Sequence, residues 1–255
     1  MPLTAFRNLE HSTMIETAIK DYLHKYGFEA LHLKAVLFDM DGVLFNSMPY
    51  HSKSWMQTAK HYNFKLSKEE TYMFEGRTGK STINILTNRS WHRDATDEEV
   101  KNIYATKSSI FNTYPPAERM PGALELLLKI RAEGFQIILV TGSGQKSLLA
   151  RLGHNFPDIF HPDTMVTSFD VKHGKPNAEP YLKGLAKAAV KPWEAIVVEN
   201  APMGVKAGVT ANIFTVALNT GVLKDEALLG EGANVLFHSM QKFCDKWEEV
   251  KNDLQ

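Results

Sequence analysis

The chain has 255 residues, which is enough for one large hydrophobic core and a smaller second unit. Its 29 Lys and Arg residues balance its 29 Asp and Glu residues, so no bulk positive field would gather nucleic acid or anionic lipid. No apolar run approaches the roughly 18 residues that a membrane span needs, and Cys244 is the single cysteine. We therefore expect a soluble, cytoplasmic protein without a nucleic-acid or membrane partner, whose chemistry comes from a local site.

The first 30 residues predict one amphipathic helix. Apolar residues recur at helical spacing from Ile15 to Tyr26, and Gly27 is a typical helix terminator. Thr13 and Glu16 have the spacing of a capping box, which predicts a helix start at Thr13. This extension either packs on the outside of the core or contributes a contact in a weak homodimer, so both a monomer and a weak homodimer stay open.

From Lys34 onward, apolar runs of strand length alternate with helical patterns. The predicted strands are Ala35–Phe38, Gln136–Val140, Met165–Phe169, Ala195–Val198 and Ile213–Leu218. Strands that alternate with helices form a parallel sheet covered by helices on both faces. The sequence therefore predicts an α/β fold with a doubly wound, Rossmann-like core.

A stretch with little strand character interrupts this alternation after the first strand. Its predicted helices are Pro49–Tyr62, Thr78–Asn88 and Asp97–Tyr114. Proline-rich and glycine-containing turns near residues 114–116 and 120–122 indicate the return to the core. We therefore predict a helical extension over residues 1–30, a core over 31–46 and 117–255, and an inserted helical domain over 47–116.

The end of the first strand carries the strongest chemical signal. Asp39 and Asp41 are separated by one residue and followed by Gly42. Open parallel sheets bind ligands at the carboxyl ends of their strands, and the turn at Gly42 lets Asp41 fold back toward the same cleft as Asp39. Asp39 could then attack phosphorus while Asp41 moves the proton. An Asp-Gly turn that only caps a loop is the alternative for such a pair in isolation.

Later strand ends carry residues of matching chemistry. Thr141 and Gly142 offer a hydroxyl and exposed N–H groups for phosphate oxygens. Lys175 lies on a loop after the next strand, where it could neutralise developing charge. Glu199 and Asn200 end a further strand and offer oxygen ligands that suit Mg²⁺. Taken singly, each residue also has an ordinary structural explanation.

Taken together, these segments resemble the haloacid dehalogenase (HAD) superfamily, and within it the β-phosphoglucomutase-like subgroup. The resemblance covers nearly everything from Lys34 to Asn219. It rests on four segments in the right order, namely residues 39–44, 140–143, 174–176 and 197–205. The resemblance implies an enzyme with an α-helical cap domain inserted in a HAD core, here residues 47–116.

The resemblance also assigns roles to residues. It implies Asp39, Asp41, Thr141 and Lys175 as catalytic residues, with Gly142 and Ser143 holding substrate oxygens. It implies Mg²⁺ as the cofactor, bound by Asp39, Asp41, Glu199 and Asn200. The family usually has aspartate where Asn200 stands, so one anionic ligand is missing and we expect weaker Mg²⁺ binding.

The cap carries the residues that bear on the substrate. The loop over residues 74–79 contains Glu75 and Arg77. Sugar-phosphate mutases of this subgroup resemble one another in placing a lysine at position 75 and an arginine near Gly79. This loop, together with His51 and Lys107, instead resembles the inorganic pyrophosphatases of the subgroup. Exposed helix positions for His51 and Lys107, and a loop ion pair for Glu75 and Arg77, are the structural alternatives.

A glutamate at position 75 would repel a second phosphate group unless a metal or a proton lay between them. We therefore expect a Mg²⁺-dependent phosphohydrolase that acts on a small phosphorylated metabolite, with inorganic pyrophosphate as the best single substrate. A β-phosphoglucomutase is the enzymatic alternative. A non-enzymatic phosphate-binding protein is the alternative from another class.

Overall fold

The computed structural model describes residues 3–143 and 146–254, and the side chains of residues 14–143 and 151–254. The first half contains α1 (Leu3–Tyr26), β1 (Ala35–Phe38), α2 (Met48–His61), α3 (Lys68–Met73), α4 (Gly79–Trp91), α5 (Asp97–Phe111), α6 (Ala123–Ala132) and β2 (Gln136–Val140). The second half contains α7 (Lys146–Asn155), β3 (Met165–Val166), α8 (Glu179–Ala188), β4 (Ala195–Glu199), α9 (Pro202–Thr210), β5 (Phe214–Leu218), α10 (Asp225–Leu229), β6 (Val235–Phe237), α11 (Met240–Asp245) and α12 (Trp247–Asp253). No helix among the described residues has the length and apolar character to cross a membrane.

The six strands form one sheet in the order β3-β2-β1-β4-β5-β6, and every neighbouring pair is parallel. All residues of β1, β4 and β5 are buried, as expected for parallel strands that helices cover on both faces. The predicted α/β fold with a doubly wound core is confirmed. The predicted strand Met165–Phe169 is wrong beyond Val166, because Asp170 accepts hydrogen bonds from the main chain and hydroxyl of Thr167 and closes a turn.

Four helices, α2 to α5, lie between β1 and α6, and we call them the cap. They enclose a small hydrophobic core of their own, which contains Ala59, Phe64, Ile83, Leu86, Ala95 and Ile103. α3 begins with a capping box of Ser67 and Glu70, and α5 begins with one of Thr96 and Glu99. Residues 47–116 are all described and contain no strand, so the inserted segment is helical.

The extension packs on the core through α1. Ile15, Ile19 and Tyr22 are buried in the main hydrophobic cluster, in agreement with the predicted apolar face. The hydroxyl of Tyr22 donates to the carbonyl oxygen of Asn212 at 2.9 Å. The hydroxyl of Tyr26 donates to the carbonyl oxygen of Val209 at 2.9 Å. The predicted helix start at Thr13 is wrong, because the helix already runs from Leu3.

Candidate active site

The carboxyl ends of three neighbouring strands form the floor of the site. β1 pairs with β2 on one side and with β4 on the other, so residues that end these strands meet at one edge of the sheet. Asp39 follows β1, Thr141 follows β2, and Glu199 and Asn200 lie at the end of β4. All four side chains are buried. Residues that are far apart in the chain are thus brought together as the sequence predicts.

Lys175 bridges two buried carboxylates. Its Nζ donates to Oδ1 of Asp39 at 2.5 Å and to Oε1 of Glu199 at 2.6 Å. Burial lowers the pKa of Lys175, but the two carboxylates outweigh burial and hold that pKa above its ordinary value. Burial raises the pKa of Asp39 to about 8 against the effect of Lys175, and Glu199 and Asp41 add to the increase. One ammonium group therefore compensates the carboxylates only in part.

Glu199 accepts four hydrogen bonds. Its Oε1 accepts hydrogen bonds from Lys175 at 2.6 Å and from the Tyr181 hydroxyl at 2.8 Å. Its Oε2 accepts from the main-chain N–H groups of Asn200 at 3.0 Å and Ala201 at 3.3 Å. A carboxylate has about four acceptor positions in total. In this arrangement the carboxylate anchors Lys175 and the start of α9, and the metal-ligand role of Glu199 stays a prediction.

Asp41 ends a hydrogen-bonded chain that comes from the cap. Its Oδ1 accepts from the Ser47 hydroxyl at 2.6 Å and lies 3.2 Å from Nε2 of His51. Nδ1 of His51 lies 2.6 Å from Nζ of Lys107, and both residues are buried. Because the ammonium group can only donate, Nδ1 accepts and Nε2 carries the proton that His51 donates to Asp41. The exposed positions considered for His51 and Lys107 are excluded.

Burial and neighbouring groups together set the charges along this chain. It lowers the pKa of His51, with Lys107 acting in the same direction, and it lowers the pKa of Lys107 to about 7. Burial also raises the pKa of Asp41, but His51 and Ser47 outweigh it and hold that pKa below its ordinary value. At neutral pH a neutral His51 therefore lies between a charged carboxylate and an ammonium group that is close to losing its proton.

Glu75 joins the cap to the core beside Asn200. Its Oε1 accepts from Nδ2 of Asn200 at 3.0 Å, and both side chains are buried. Burial, and then the charge of Asp39, raise the pKa of Glu75 well above its ordinary value, against the hydrogen bond from Asn200. Oδ1 of Asn200 is buried without a hydrogen-bond partner. A buried amide oxygen without a partner thus lies next to Glu75, in a site whose carboxylates Lys175 compensates only in part.

Arg77 lies at the interface between the cap and the core. Its Nη2 lies 3.1 Å from Sδ of Met203, and its Nη1 donates to the hydroxyl of Ser81 at 3.3 Å. Its Nε is buried and has no hydrogen-bond partner. The loop ion pair with Glu75 that the sequence left open does not form, because Glu75 is bonded to Asn200 instead. Arg77 therefore keeps a donor for an anion.

The loop after β2 closes tightly against the cap. The main-chain N–H of Ser143 donates to the Thr141 hydroxyl at 3.0 Å. A β-carbon on Gly142 would lie 2.5 Å from the carbonyl oxygen of Gly76, so no larger residue fits there. The cap loop and the core loop therefore touch through their main chains.

A cavity of about 70 Å³ lies between these two loops. It is lined by the predicted residues Asp39, Asp41, His51, Glu75, Arg77, Lys107, Thr141, Gly142 and Ser143. Lys175, Glu199 and Asn200 lie behind this lining. Apolar side chains of the cap complete the wall, namely Met48, Trp55, Leu66, Phe74 and Tyr104.

Two hydrogen-bond partners of the buried carboxylates have no signal in the sequence. Ser47 reaches Asp41, and Tyr181 reaches Glu199 across the interface between α8 and β4. Tyr181 and Leu185 have the spacing of an ordinary buried helix face. Only the packing of α8 on the sheet reveals the second role of the tyrosine.

Known proteins share this architecture and these sequence features. The family described as haloacid dehalogenase-like hydrolase matches residues 36–218. A solved structure from Bacteroides vulgatus, provisionally named a β-phosphoglucomutase, is 59% identical in sequence to this chain. The alignment covers 96% of this chain and 99% of the Bacteroides vulgatus chain, and the two structures superimpose with a TM-score of 0.93.

Two curated relatives are more distant. Hexitol phosphatase A of Escherichia coli (strain K12) is 29% identical over 217 residues, which is 83% of this chain and 94% of the relative. A provisionally named pyrophosphatase, PpaX, of Clostridium perfringens (strain 13 / Type A) is 30% identical over 199 residues, 77% of this chain and 88% of the relative. The chain belongs to the haloacid dehalogenase-like hydrolase family and is an enzyme of its phosphatase and phosphomutase type.

Proposed function

We propose that this enzyme is a Mg²⁺-dependent phosphohydrolase that acts through an aspartyl phosphate on Asp39, with inorganic pyrophosphate as its best substrate. The observation that carries the proposal is the position of Glu75, a buried carboxylate of the cap that lies 3.0 Å from Asn200 at the edge of the catalytic site. The second phosphate group of a sugar bisphosphate would be repelled by this carboxylate. A small diphosphate bound to a metal would avoid that repulsion, because the metal would lie between the two negative groups.

The residues around Asn200 suit a hard divalent cation. Oδ1 of Asn200 is a buried oxygen without a partner, and Asp39 and Glu75 are carboxylates whose negative charge Lys175 does not fully compensate. Oxygen ligands of this kind, completed by water, are those that Mg²⁺ prefers. Among the described residues, no three His, Cys, Asp or Glu side chains form a ready-made metal cluster, so the amide and water would have to complete the set. We propose Asp39, Asn200 and Glu75 as ligands, with Asp41 nearby.

The cavity size favours a small substrate. A water molecule needs about 10–15 Å³ of such space, whereas typical pockets for organic ligands measure about 300–1,000 Å³. A cavity of about 70 Å³ therefore suits one or two phosphate groups better than a phosphorylated sugar. Arg77, with its unpartnered Nε, and Lys107 are the cap cations that would receive the charge of the second phosphate.

The reaction follows from the two aspartates. The carboxylate oxygen of Asp39 that does not bind Lys175 attacks phosphorus, and the bond from phosphorus to the leaving oxygen breaks. Asp41 is ionised in the free enzyme, so it first takes up a proton from solvent or from the bound substrate and gives this proton to the leaving oxygen. The ionised Asp41 then takes a proton from the water that attacks the aspartyl phosphate and releases Asp39, and it returns that proton to solvent or to the next leaving group. Ser47 and His51 hold Asp41 in place for both transfers. When bound, Mg²⁺ would supply positive charge to the phosphoryl oxygens.

A β-phosphoglucomutase is the second candidate, because the similar Bacteroides vulgatus structure carries that provisional name. Such an enzyme returns the phosphoryl group to a sugar hydroxyl instead of water. The cap argues against it here, since Glu75 stands where a lysine is expected. In addition, a β-carbon on Gly79 would lie 2.4 Å from the ring of Tyr104, so the tyrosine fills the place of the expected arginine.

The deciding experiment compares substrates with and without metal. We expect Mg²⁺-dependent release of phosphate from pyrophosphate to exceed that from hexitol phosphates and p-nitrophenyl phosphate, with EDTA abolishing all three. The Asp39→Asn protein serves as the blank. Efficient conversion of β-glucose 1-phosphate to glucose 6-phosphate, without pyrophosphate cleavage, would instead establish the mutase.

A further inference from the structure

Tyr181 brings a hydroxyl group into the charged centre of the site from outside the four motif segments. It lies in α8 and is fully buried. Its hydroxyl donates to Oε1 of Glu199 at 2.8 Å, the same oxygen that accepts from Lys175 at 2.6 Å. Two donors from different elements thus converge on one carboxylate oxygen.

The ammonium group of Lys175 has no freedom left in this arrangement. Its three N–H donors are matched by three acceptors, Asp39 at 2.5 Å, Glu199 at 2.6 Å and the carbonyl oxygen of Val140 at 2.9 Å. The centre of the Tyr181 ring lies 5.1 Å from Nζ, so the same residue also bounds the ammonium group from one side. Any shift of Glu199 would therefore move the cation that holds Asp39.

We propose that Tyr181 is a positioning residue for phosphoryl transfer, whose hydroxyl fixes Glu199 and thereby holds Lys175 against Asp39. The inference rests on the proposed nucleophilic role of Asp39. Tyr181 touches neither the cavity nor the reacting atoms, so it acts only through Glu199 and Lys175.

The direction of the effect follows from hydrogen-bond geometry. The carboxylate of Glu199 is pinned at Oε2 by the N–H groups of Asn200 and Ala201 and at Oε1 by Lys175 and Tyr181. Without the phenolic donor, Oε1 keeps only its hydrogen bond with Lys175, and the carboxylate can turn about the axis through Oε2. Lys175 follows it, and Asp39 loses its fixed orientation for attack, which must be accurate for an efficient displacement.

The Tyr181→Phe variant tests this inference, because it removes one hydroxyl and keeps the ring beside the ammonium group. We expect kcat for p-nitrophenyl phosphate to fall by about 10- to 100-fold, the usual cost of removing such a supporting contact, with KM little changed. Tyr22→Phe is the matched control, since it also removes the hydroxyl of a buried tyrosine, but that tyrosine lies in α1 and its hydroxyl donates to a main-chain carbonyl group. Its kcat should equal that of the wild type.

A double-mutant cycle separates positioning from general damage. If Tyr181 acts through Lys175, the Tyr181→Phe change should add no further loss of the single-turnover rate in a Lys175→Met protein. Losses that multiply, or a kcat of Tyr181→Phe within about twofold of the wild type, would overturn the inference. Failure of the proposed function shows itself differently, as an Asp39→Asn protein that still turns over the same substrate.

Discussion

Nδ2 of Asn200 donates a hydrogen bond to Oε1 of Glu75 at 3.0 Å. The residue that follows β4 in the core and a loop of the cap therefore share one buried contact. The contact leaves Oδ1 of Asn200 free at the same place. A substrate-bound cation at this position would draw the cap carboxylate toward the core. Substrate choice and cap closure would then depend on the same residue.

Replacing Glu75 by glutamine should change substrate preference more than overall activity. The amide keeps the shape of the side chain but lowers its affinity for Mg²⁺, so kcat/KM for pyrophosphate should fall at least about tenfold more than for p-nitrophenyl phosphate. The Mg²⁺ concentration for half-maximal activity should rise. Glu69→Gln, an exposed change on α3, is the control. Equal losses for both substrates would show that Glu75 supports closure without selecting the substrate.

Asp39→Asn should abolish turnover and leave the fold intact. An amide cannot form the acyl phosphate, so activity should fall below about 10⁻⁴ of the wild-type rate. Lys175 keeps Glu199 and Val140 as partners, which should preserve the local structure. Circular dichroism and the melting temperature check the fold. Residual turnover within tenfold of wild type would remove Asp39 from the role of nucleophile, because a loss that small fits a supporting residue instead.

Asp41→Asn should slow turnover by about 10²- to 10⁴-fold, the usual range for loss of a general acid or base. The loss should be greatest for substrates with poor leaving groups, since p-nitrophenolate needs no proton to depart. Rates for a series of aryl phosphates of rising leaving-group pKa provide the measurement. A loss that is the same across the series would contradict proton transfer by Asp41 and indicate a role in metal binding alone.

Lys107→Met should stabilise the protein and weaken its activity. Burial lowers the pKa of Lys107 from 10.5 to about 7, so between these pH values the unfolded chain binds a proton that the folded chain has lost. Stability therefore rises with pH across this window, and the cost of the buried charge is complete below pH 7. We expect the melting temperature to increase on the order of 5 °C at pH 6 and much less at pH 10.

The control for this prediction is Lys101→Met, an exposed change on the same helix, which should leave the melting temperature unchanged at both pH values. Activity of Lys107→Met should fall because His51 loses the donor that fixes its ring and its tautomer. A Lys107→Met protein that melts lower at pH 6 would show that the ammonium group is stabilised by its surroundings.

Conversion of the cap toward a sugar-phosphate pattern should require three changes. Glu75→Lys with Gly79→Arg places the expected cations, but the new side chain at position 79 would meet Tyr104 at 2.4 Å. Adding Tyr104→Ala should open the space. The triple variant should gain activity on β-glucose 1-phosphate relative to pyrophosphate, whereas the double variant should lose stability. A double variant that already accepts the sugar phosphate would show that Tyr104 moves aside readily.

The fold could be predicted in most respects because its strands are buried on both faces. Such strands appear in the sequence as short apolar runs, and Ala35–Phe38 and Gln136–Val140 were predicted to the residue. The edge strand Val235–Phe237 was missed, since a strand of three residues that pairs only with β5 is too short to show a periodic pattern in the sequence. The helix α3 was missed for the same reason, because it has only six residues.

The site could be predicted only where chemistry and strand ends coincide. Asp39, Thr141 and Asn200 follow from that rule, and the structure brings them to one edge. This rule does not find residues whose role depends on packing. Glu199 was predicted as a metal ligand because a carboxylate at a strand end has that chemistry. Its four hydrogen bonds depend on Tyr181 and on the start of α9, which the sequence alone does not bring near it.

The N-terminal helix is joined to the core at the end of α9 that lies away from the candidate active site. Tyr22 and Tyr26 donate to the carbonyl groups of Asn212 and Val209, whereas α9 begins just after the N–H groups that hold Glu199. A helix of nine residues spans about 14 Å, so these contacts lie about one helix length from Glu199. Fusion partners or purification tags placed at this terminus should therefore leave kcat unchanged, and enzyme tagged there is suitable for kinetics.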